Sequence, residues 1–441
     1  MVKYAAFILA VVLCFSNCLA DTFTNRLTGE TFNGYATLNK KGNKTQVRIE
    51  GKTPRYIYLN EYKIQRNHLG RKNKVFIFSI NDSIDLFCET EAFEEAIVLA
   101  ANQGPLFILI KIDTPGGRVD LAQRLCTAIT RIDNCDTVAY VNGDKFGGAF
   151  SAGAIVALAC DKVYMRKGTA IGAAAAYMRT TAGSKAVEKV YSKDISEKFN
   201  SAWLGYCAAV AERNNRPGLL VKAMVNANIA VVEVVKNNKR FFITPSGRKS
   251  KQTVIRNWSK KGSLLTLTAA EAAQTGIADG MVASQADIFV GLGAAGAGQV
   301  RDSSISRARK KFEKARQKLD KILSSISYLE NQAAAVAKTL EAAEEQITSF
   351  GGVVYDRGYS PYWTLHPGID IDQWERMLAD RDALLDELTD ISAALIRGYK
   401  KALPLAGKHP DLAYHTASLR KGLESAEATY RETRFRPRYF Y

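Results

Sequence analysis

The sequence predicts a mixed α/β fold for the middle of the chain, with a small β module before it and a helical region after it. Three observations lead to this prediction. Between Lys74 and about residue 290, apolar runs of strand length alternate with amphipathic helical segments. Short alternating runs separated by turns precede them, and apolar residues spaced three and four apart follow them. With 441 residues, the chain is long enough for two or three separate cores.

The β module is predicted from TFNGYATL, TQVRIEG and RYIYLNEYKI, which alternate apolar and polar residues. In the α/β part, VFIFSI, LFILIKID and TVAYVN read as strands, and LFILIKID is continuous enough to be buried on both faces of a parallel sheet. Helices are predicted over Thr90–Gln103, over Val119–Ile132 and after Ser151, and VVEVVKNNKRFFIT reads as a hairpin insert.

The C-terminal region carries thirteen apolar positions from Ile305 to Ile347 in an unbroken heptad spacing. A second helix has a similar register from Trp374 to Leu395, with Arg381 as its polar exception, and a third is predicted from Pro410 to about Arg434. These helices could pair as a hairpin within one chain, or the long one could form a coiled coil between chains.

We predict five segments with the following boundaries. Residues 1–20 are typical of a cleavable leader, in which Lys3 precedes an apolar run too short to span a bilayer and Cys18-Leu19-Ala20 forms the cleavage site. An uncleaved anchor is the alternative. The others are the β module, the α/β domain, a flexible Gly/Ala linker and the helical region, at 21–72, 73–290, 291–302 and 303–441. We therefore expect an exported protein of the periplasm or cell envelope, soluble or peripherally attached to a membrane.

The formal net charge is +17, from 61 Lys and Arg against 44 Asp and Glu. The basic residues are scattered and not interleaved with stacking aromatics, so we expect an anionic membrane or envelope surface as partner and no specific nucleic acid. We also expect a homo-oligomer. Five cysteines follow the leader without a pattern, which excludes a disulfide framework and a CxxC metal site, while a Cys126–Cys135 disulfide stays open. We expect no metal and no cofactor.

Two glycine-rich turns follow predicted strands, where sites gather in an open α/β sheet. The first is Thr114-Pro115-Gly116-Gly117, and the second is GGAFSAGA around Ser151. A Gly-Gly turn lets the backbone approach a substrate, and a serine at a helix start has the Ala152 N–H beside its hydroxyl. Either turn alone could be an ordinary strand-to-helix connection. Together, about 35 residues apart, they indicate a nucleophile with oxyanion donors.

A nucleophilic serine needs a base. No histidine lies between Lys74 and the linker, so a Ser-His-Asp triad within this domain is excluded. A lysine whose pKa is lowered by burial is the remaining activator. Among the downstream lysines we favour Lys198, because it begins a helix with an apolar face, although any one of them alone is more commonly a solvated surface residue. The candidates are Lys185, Lys189, Lys193, Lys198 and Lys222, and the apolar face is Phe199, Trp203, Tyr206, Cys207 and Val210.

The set TPGG, AFSAG and GTAIGAA (168–174) resembles the membrane-bound serine proteases of the Clp-protease/crotonase superfamily, of the NfeD type and more distantly signal peptide peptidase A. The resemblance covers about residues 74–290 and implies a Clp-protease/crotonase-like core. It implies that Ser151 is the nucleophile and that the base is the lysine about 18 residues before Arg216-Pro217, which is Lys198. It further implies oxyanion donors at the Gly117 and Ala152 N–H groups. The predicted substrate-binding residues are Gly116 and Phe150.

The sequence departs from that family at several points. Phe150 stands where the family has a small residue, IGAAAAYM lacks the proline after GAA, and no transmembrane block or C-terminal β-barrel follows. Asp113 and Asp120 flank the first turn and are assigned turn and capping roles.

We predict an exported Ser-Lys endopeptidase acting on a peptide or protein substrate, apolar or membrane-derived. The alternative is a catalytically inactive scaffold acting as an envelope-associated interaction protein. An acyl-CoA hydratase or isomerase is disfavoured because neither turn carries an acid/base glutamate.

Overall fold

The computed structural model describes residues 21–49, 52–65, 72–180, 183–186, 192–237, 239–249, 252–354, 362–365, 368 and 370–438. The chain divides between Arg307 and Ala308 into two compact units. The predicted fold class is confirmed, with an N-terminal β module and an α/β core in the first unit and a helical second unit. The predicted leader, residues 1–20, lies outside the described residues.

The N-terminal module is one antiparallel sheet in the order β4-β3-β2-β1-β5. Phe23 is fully buried at its centre, stacked on Phe32 at 5.1 Å and met edge-on by Tyr62 at 6.4 Å between ring centroids. The Leu38 N–H donates to Asn102 Oδ1 (2.9 Å), which ties the module to the core. Its strands are β1 Asp21–Asn25, β2 Thr31–Lys41, β3 Lys44–Arg48, β4 Arg55–Ile57 and β5 Tyr62–Gln65, with a 3-10 turn at Leu59–Glu61.

The rest of the first unit alternates strands with helices. Its strands are β6 Lys72–Ile80, β7 Pro105–Ile112, β8 Asp136–Val141, β9 Gly148–Phe150, β10 Lys162–Arg166, β11 Ala170–Gly172, β12 Tyr177–Thr180, β13 Gly183–Ala186, β14 Val231–Lys236, β15 Lys239–Ile243, β16 Thr253–Ser259, β17 Thr266–Thr268, β18 Gly280–Val282 and β19 Gly298–Arg301. Its helices are α1 Phe87–Ala101, α2 Val119–Thr130, α3 Ala152–Leu158, α4 Lys193–Arg213, α5 Gly218–Val225, α6 Ala269–Thr275 and α7 Gln285–Gly291.

The central sheet is parallel throughout, in the order β18-β10-β8-β7-β6-β19. Strand β7 lies in its middle and is apolar on both faces, as predicted. Ile108 and Ile110 join the large core built with α1 to α5, whereas Phe107 and Leu109 face a second cluster. In that second cluster Phe289 of α7 meets the Phe107 ring at 5.4 Å. Burial on both faces explains the continuous apolar run.

Two smaller sheets flank the central one. Strands β9, β11 and β17 form a sheet in the order β17-β11-β9, which carries the residues leading into Ser151. The predicted hairpin insert is confirmed, because β14 and β15 pair antiparallel, and β16 extends their sheet.

The prediction of a flexible linker over 291–302 is wrong for part of that segment. Residues Gly298–Arg301 form β19, which pairs parallel with β6 at the edge of the central sheet. The Asp302 N–H then donates to the Ile77 carbonyl oxygen (2.8 Å). The glycines and alanines before β19 are typical of a linker. In the structure they connect α7 to the edge strand β19.

The second unit is a long helical hairpin with a third helix, so the intrachain alternative is the one adopted. Arg381 Nε donates to Glu344 Oε1 (3.2 Å), and Tyr399 Oη donates to Glu330 Oε1 (2.5 Å). The later residue of the second long helix thus contacts the earlier residue of the first, which shows that the two helices are antiparallel. The helices are α8 Ser304–Phe350, α9 Ile371–Lys408 and α10 Thr416–Phe435, with a 3-10 turn at Pro410–His415 and a hairpin of β20 Gly351–Val354 with β21 Tyr362–Leu365.

The heptad spacing of α8 is explained by its packing. Its buried residues recur every seven positions or a multiple of seven, because one stripe faces its neighbours. They are Phe312, Leu319, Ile326, Leu340 and Ile347. Within the described residues, every helix is too short or too polar to cross a membrane.

Candidate active site

Thr114 joins the two glycine-rich turns at the carboxyl end of β7. Its N–H donates to the Gly148 carbonyl oxygen (3.0 Å), and its own carbonyl oxygen accepts from the Phe150 N–H (3.0 Å). Its hydroxyl donates to the Asp82 carbonyl oxygen (2.7 Å) and accepts from the Gly116 N–H (3.1 Å). Thr114 is fully buried. This one residue therefore fixes the position of the first turn against β9.

Contact requires glycine at both positions of the first turn, and at Gly116 the backbone conformation requires it as well. Gly116 has φ +105°, and a Cβ there would stand 2.4 Å from Ser151 Cβ. A Cβ on Gly117 would stand 2.4 Å from the Ile84 carbonyl oxygen. The turn thus lies between the Ile84 backbone and Ser151, and no side chain fits on either glycine.

Ser151 has a strained backbone at the start of α3. Its φ of +54° and ψ of −127° are rare for a residue with a Cβ and are held by the N–H donating to the Gly172 carbonyl oxygen (2.9 Å). The side chain is half-buried, and its hydroxyl has no hydrogen-bond partner among the described residues. Backbone strain of this kind clusters at active sites and ligand clamps.

Two backbone N–H groups belong to residues near this serine. Ala152 follows it in the chain, and Gly117 lies in the turn that contacts it. The Ala152 N–H opens α3 and has no intrahelical acceptor. Gly117 follows Gly116, which touches Ser151. Within the described part of the chain, neither N–H donates to another residue. Their predicted role as oxyanion donors stays a prediction.

Asp113 shapes the loop that leads into β9. Its carboxylate is buried and accepts from the N–H groups of Lys145, Phe146 (3.0 Å) and Gly148 (3.3 Å). The predicted turn role of Asp113 is therefore confirmed. Asp120 lies at the start of α2 and is exposed, where the hydrogen bond from Arg118 lowers the pKa of its carboxyl group.

The prediction that Lys198 is buried is wrong. Lys198 lies in the second turn of α4 and is exposed. The buried stripe of α4 runs through Ser196, Trp203 and Cys207, and at 100° per residue Lys198 points about 140° away from Trp203. Phe199, expected on the same apolar face, is 37% exposed.

No described lysine side chain hydrogen-bonds to Ser151. Lys193 is exposed, and Lys222 is half-buried on α5. The side chains of Lys185 and Lys189 lie outside the described residues. The structure thus brings together Ser151, Gly116, Gly117 and Ala152, and it leaves the base as a prediction.

Phe150 lies on β9 opposite Gly172 of β11 and is half-buried. It directly precedes Ser151 in the chain, and its role in substrate binding stays a prediction. Two structural supports of the turns are not evident from the sequence: the role of Thr114 as the link between the turns, and the loop of Asp82 and Ile84 beneath the first turn. The polar turn residues Asn81 to Ser83 at the end of β6 were the available signal.

Arg216 has a structural role in this region. Its guanidinium is buried and donates to the Ile277 carbonyl oxygen (3.0 Å), the Asp161 carbonyl oxygen (3.3 Å) and Asp279 Oδ2 (2.7 Å). It therefore fastens the chain after α4 to the start of β10 and to the loop before β18.

Comparison with known proteins confirms the predicted resemblance for the middle of the chain. Residues 74–254 match the family model described as NfeD1b, N-terminal domain. The membrane protein NfeD1b of Bacillus subtilis (strain 168) is 27% identical over 230 residues, which are 52% of this chain and 44% of that protein. The membrane-bound protease PH1510 of Pyrococcus horikoshii is 23% identical over 160 residues, 36% of this chain and 34% of that protein.

The chain thus spans less than half the length of either curated relative. Among solved structures, the 1510-N membrane protease specific for a stomatin homolog from Pyrococcus horikoshii is similar at 21% identity and a TM-score of 0.32. That likeness covers 50% of this chain and 79% of that one.

Proposed function

We propose that this chain, whose residues 74–254 match the NfeD1b N-terminal domain, is a serine endopeptidase with Ser151 as nucleophile. The observation that carries the proposal is the grouping at Ser151. An unpartnered hydroxyl on a strained backbone stands beside two unused N–H groups, of Gly117 and Ala152. The relative named a membrane-bound protease supports the same reaction class.

In the proposed reaction, Ser151 Oγ bonds to the carbonyl carbon of a peptide while its proton passes to Lys198 Nζ. The carbonyl oxygen becomes an oxyanion and accepts from the Gly117 and Ala152 N–H groups. The carbon–nitrogen bond then breaks, and the departing amine takes the proton from Lys198. Water hydrolyses the resulting Ser151 ester and restores the hydroxyl.

A lysine side chain accepts a proton only as a neutral amine, and surroundings poor in water favour the neutral form. Because Lys198 is exposed, we propose that a bound peptide covers the early turns of α4 and removes water from it. Catalytic hydrogen bonds commonly tighten only when the substrate is bound. The proposed substrates are apolar or membrane-derived peptides, and both curated relatives are named as membrane proteins or membrane-bound, which supports work at a membrane of the cell envelope.

A catalytically inactive scaffold is the second candidate. It is favoured by the absence of any lysine hydrogen-bonded to Ser151 in the described residues and by the Phe150 ring next to the serine. In that case the β module and the helical unit would serve assembly at the envelope, and the strained turn would be a remnant of chemistry.

A fluorophosphonate probe and a casein assay separate the two candidates. We expect the probe to label the wild type and Ser201→Ala, an exposed serine of α4, but not Ser151→Ala. We expect Lys198→Ala to abolish casein cleavage and Lys193→Ala, an exposed lysine at the start of the same helix, to retain it. A wild type that is neither labelled nor active shows the scaffold. Full activity in Lys198→Ala assigns the base to another residue.

A further inference from the structure

Charge is segregated along the helical unit. The first half of α9, residues 371–390, has seven acidic residues and two arginines, whereas residues 391–408 have four basic residues and no acidic one. On α8, residues 308–321 have seven basic and two acidic residues. Each long helix therefore has one strongly basic part.

The fold brings these basic parts to the same end of the unit. Ile326 of α8 lies against Gly398 of α9, and Tyr399 lies against Gly422 of α10. Because α8 and α9 are antiparallel, residues before Ile326 and residues after Gly398 extend in the same direction. We define the basic end as residues 308–321, 397–408 and 410–421.

At the opposite end, three arginines are held in ion pairs. There Arg438 pairs with Asp386 (2.8 Å), and Arg436 and Arg381 both pair with Glu344 (3.3 and 3.2 Å). At the basic end, by contrast, Lys318, Lys401 and Lys421 are exposed and make no ion pair with any described residue.

An exposed aromatic ring stands at the tip of the basic end. Tyr414, in the turn between α9 and α10, is 72% exposed, and its ring lies 4.1 Å from that of His415. Tyrosine beside lysine and arginine suits the headgroup level of a bilayer, where the ring enters the interface and the cations meet lipid phosphates. A single-strand nucleic-acid surface would instead offer several stacking rings.

We propose that the basic end docks on the surface of an anionic lipid bilayer, with Tyr414 entering the headgroup layer. This docking uses neither Ser151 nor Lys198, so it is independent of the proposed peptidase activity. It places the attachment on the helical unit, in a chain whose described helices do not cross a membrane.

Vesicle flotation of the full chain tests the proposal. We expect the wild type to float with vesicles of phosphatidylcholine and phosphatidylglycerol in equal parts, to stay behind with phosphatidylcholine alone, and to bind less as salt rises. Replacing Lys318, Lys401 and Lys421 by glutamine, one on each helix, should weaken binding about a hundredfold, since each cation contributes near an anionic surface. Tyr414→Ala should weaken it about tenfold.

The matched control removes three cations from the other end, again one on each helix. Lys338→Gln, Arg376→Gln and Arg431→Gln are all at exposed positions and should leave binding within about twofold of the wild type. Equal loss in the two triple variants overturns the proposal, as does a wild type that ignores phosphatidylglycerol. Tighter binding to duplex DNA than to the vesicles at the same salt assigns the surface to nucleic acid instead. Helical circular dichroism verifies that each variant is folded.

Discussion

Gly116 and Ser151 are in direct contact, since a Cβ on Gly116 would stand 2.4 Å from the Ser151 Cβ. The first glycine-rich turn therefore forms one wall of the space around the serine hydroxyl. Any side chain on this wall must displace the serine or the turn.

We expect Gly116→Ala to abolish probe labelling of Ser151 and to lower the free energy of unfolding by about 2–4 kcal/mol, from the clash and the positive φ together. Gly147→Ala is the control. Gly147 also has a positive φ, +82°, but nothing lies within 4 Å of its Cβ position, so only the strain of about 1 kcal/mol applies. Denaturant unfolding measures both. Equal losses in the two variants would show that the contact with Ser151 is unimportant.

Asp113→Asn should loosen the loop before β9. The carboxylate accepts from three backbone N–H groups, whereas the amide would present an NH2 group to some of them. We expect a loss of about 2 kcal/mol in stability and slower labelling of Ser151. Asp120→Asn, at an exposed position, should change stability by less than about 0.5 kcal/mol. Unchanged labelling in Asp113→Asn would argue against this role.

None of the five described cysteines forms a disulfide, and Cys126, Cys135, Cys160 and Cys207 are buried whereas Cys88 is half-buried. Burial raises the pKa of the Cys126 thiol to about 12 and raises the pKa values of Cys160 and Cys207 as well. We expect iodoacetamide at about pH 8 to modify Cys88 first among these five, because the other four thiols are buried. Site-resolved mass spectrometry checks the order, and rapid modification of Cys126 in the folded protein would contradict it.

The thiols of Cys126, Cys160 and Cys207 make the stability of the fold depend on pH. Their folded pKa values lie above the unfolded value of about 8.5, so their contribution is present below that pH and is lost as the pH rises toward 12. We expect the denaturant midpoint of the first unit to fall between about pH 8 and 10. Cys126→Ala should reduce that dependence relative to the wild type, and an unchanged slope would contradict the assignment.

Arg381 is nearly buried between α8 and α9 and binds Glu344, Asp382 and the Pro437 carbonyl oxygen. We expect Arg381→Ala to destabilise the helical unit by about 3 kcal/mol, because carboxylates lose their partner in a partly buried site. Arg376→Ala, an exposed arginine of the same helix, should cost less than about 0.5 kcal/mol. Thermal unfolding followed by helical circular dichroism distinguishes them, and similar melting of the two variants would contradict the prediction.

The elements that the sequence predicts well are those with strong local patterns. The apolar run of β7 and the heptads of α8 carry their burial in the residue order itself. The contact of the two turns was inferred from their places at strand ends, and Thr114 provides it. For the strand and the helix, the local residue pattern was enough to predict the element.

Features that depend on tertiary context were predicted less well. The burial of Lys198 was inferred from its neighbours, but the helix phase around Trp203 turns the lysine outward. Likewise, β19 has too few apolar residues to be recognised, because its strand character comes from pairing with β6.

The position of β19 also affects how the protein can be made. Strand β6 is synthesised near the start of the first unit, yet its outer edge is covered only after residue 301 leaves the ribosome. Until then, the backbone groups on that edge have no strand partner and are exposed to other nascent chains. A fragment that stops at residue 290 would retain this open edge permanently, so a usable expression boundary for the first unit lies beyond Arg301.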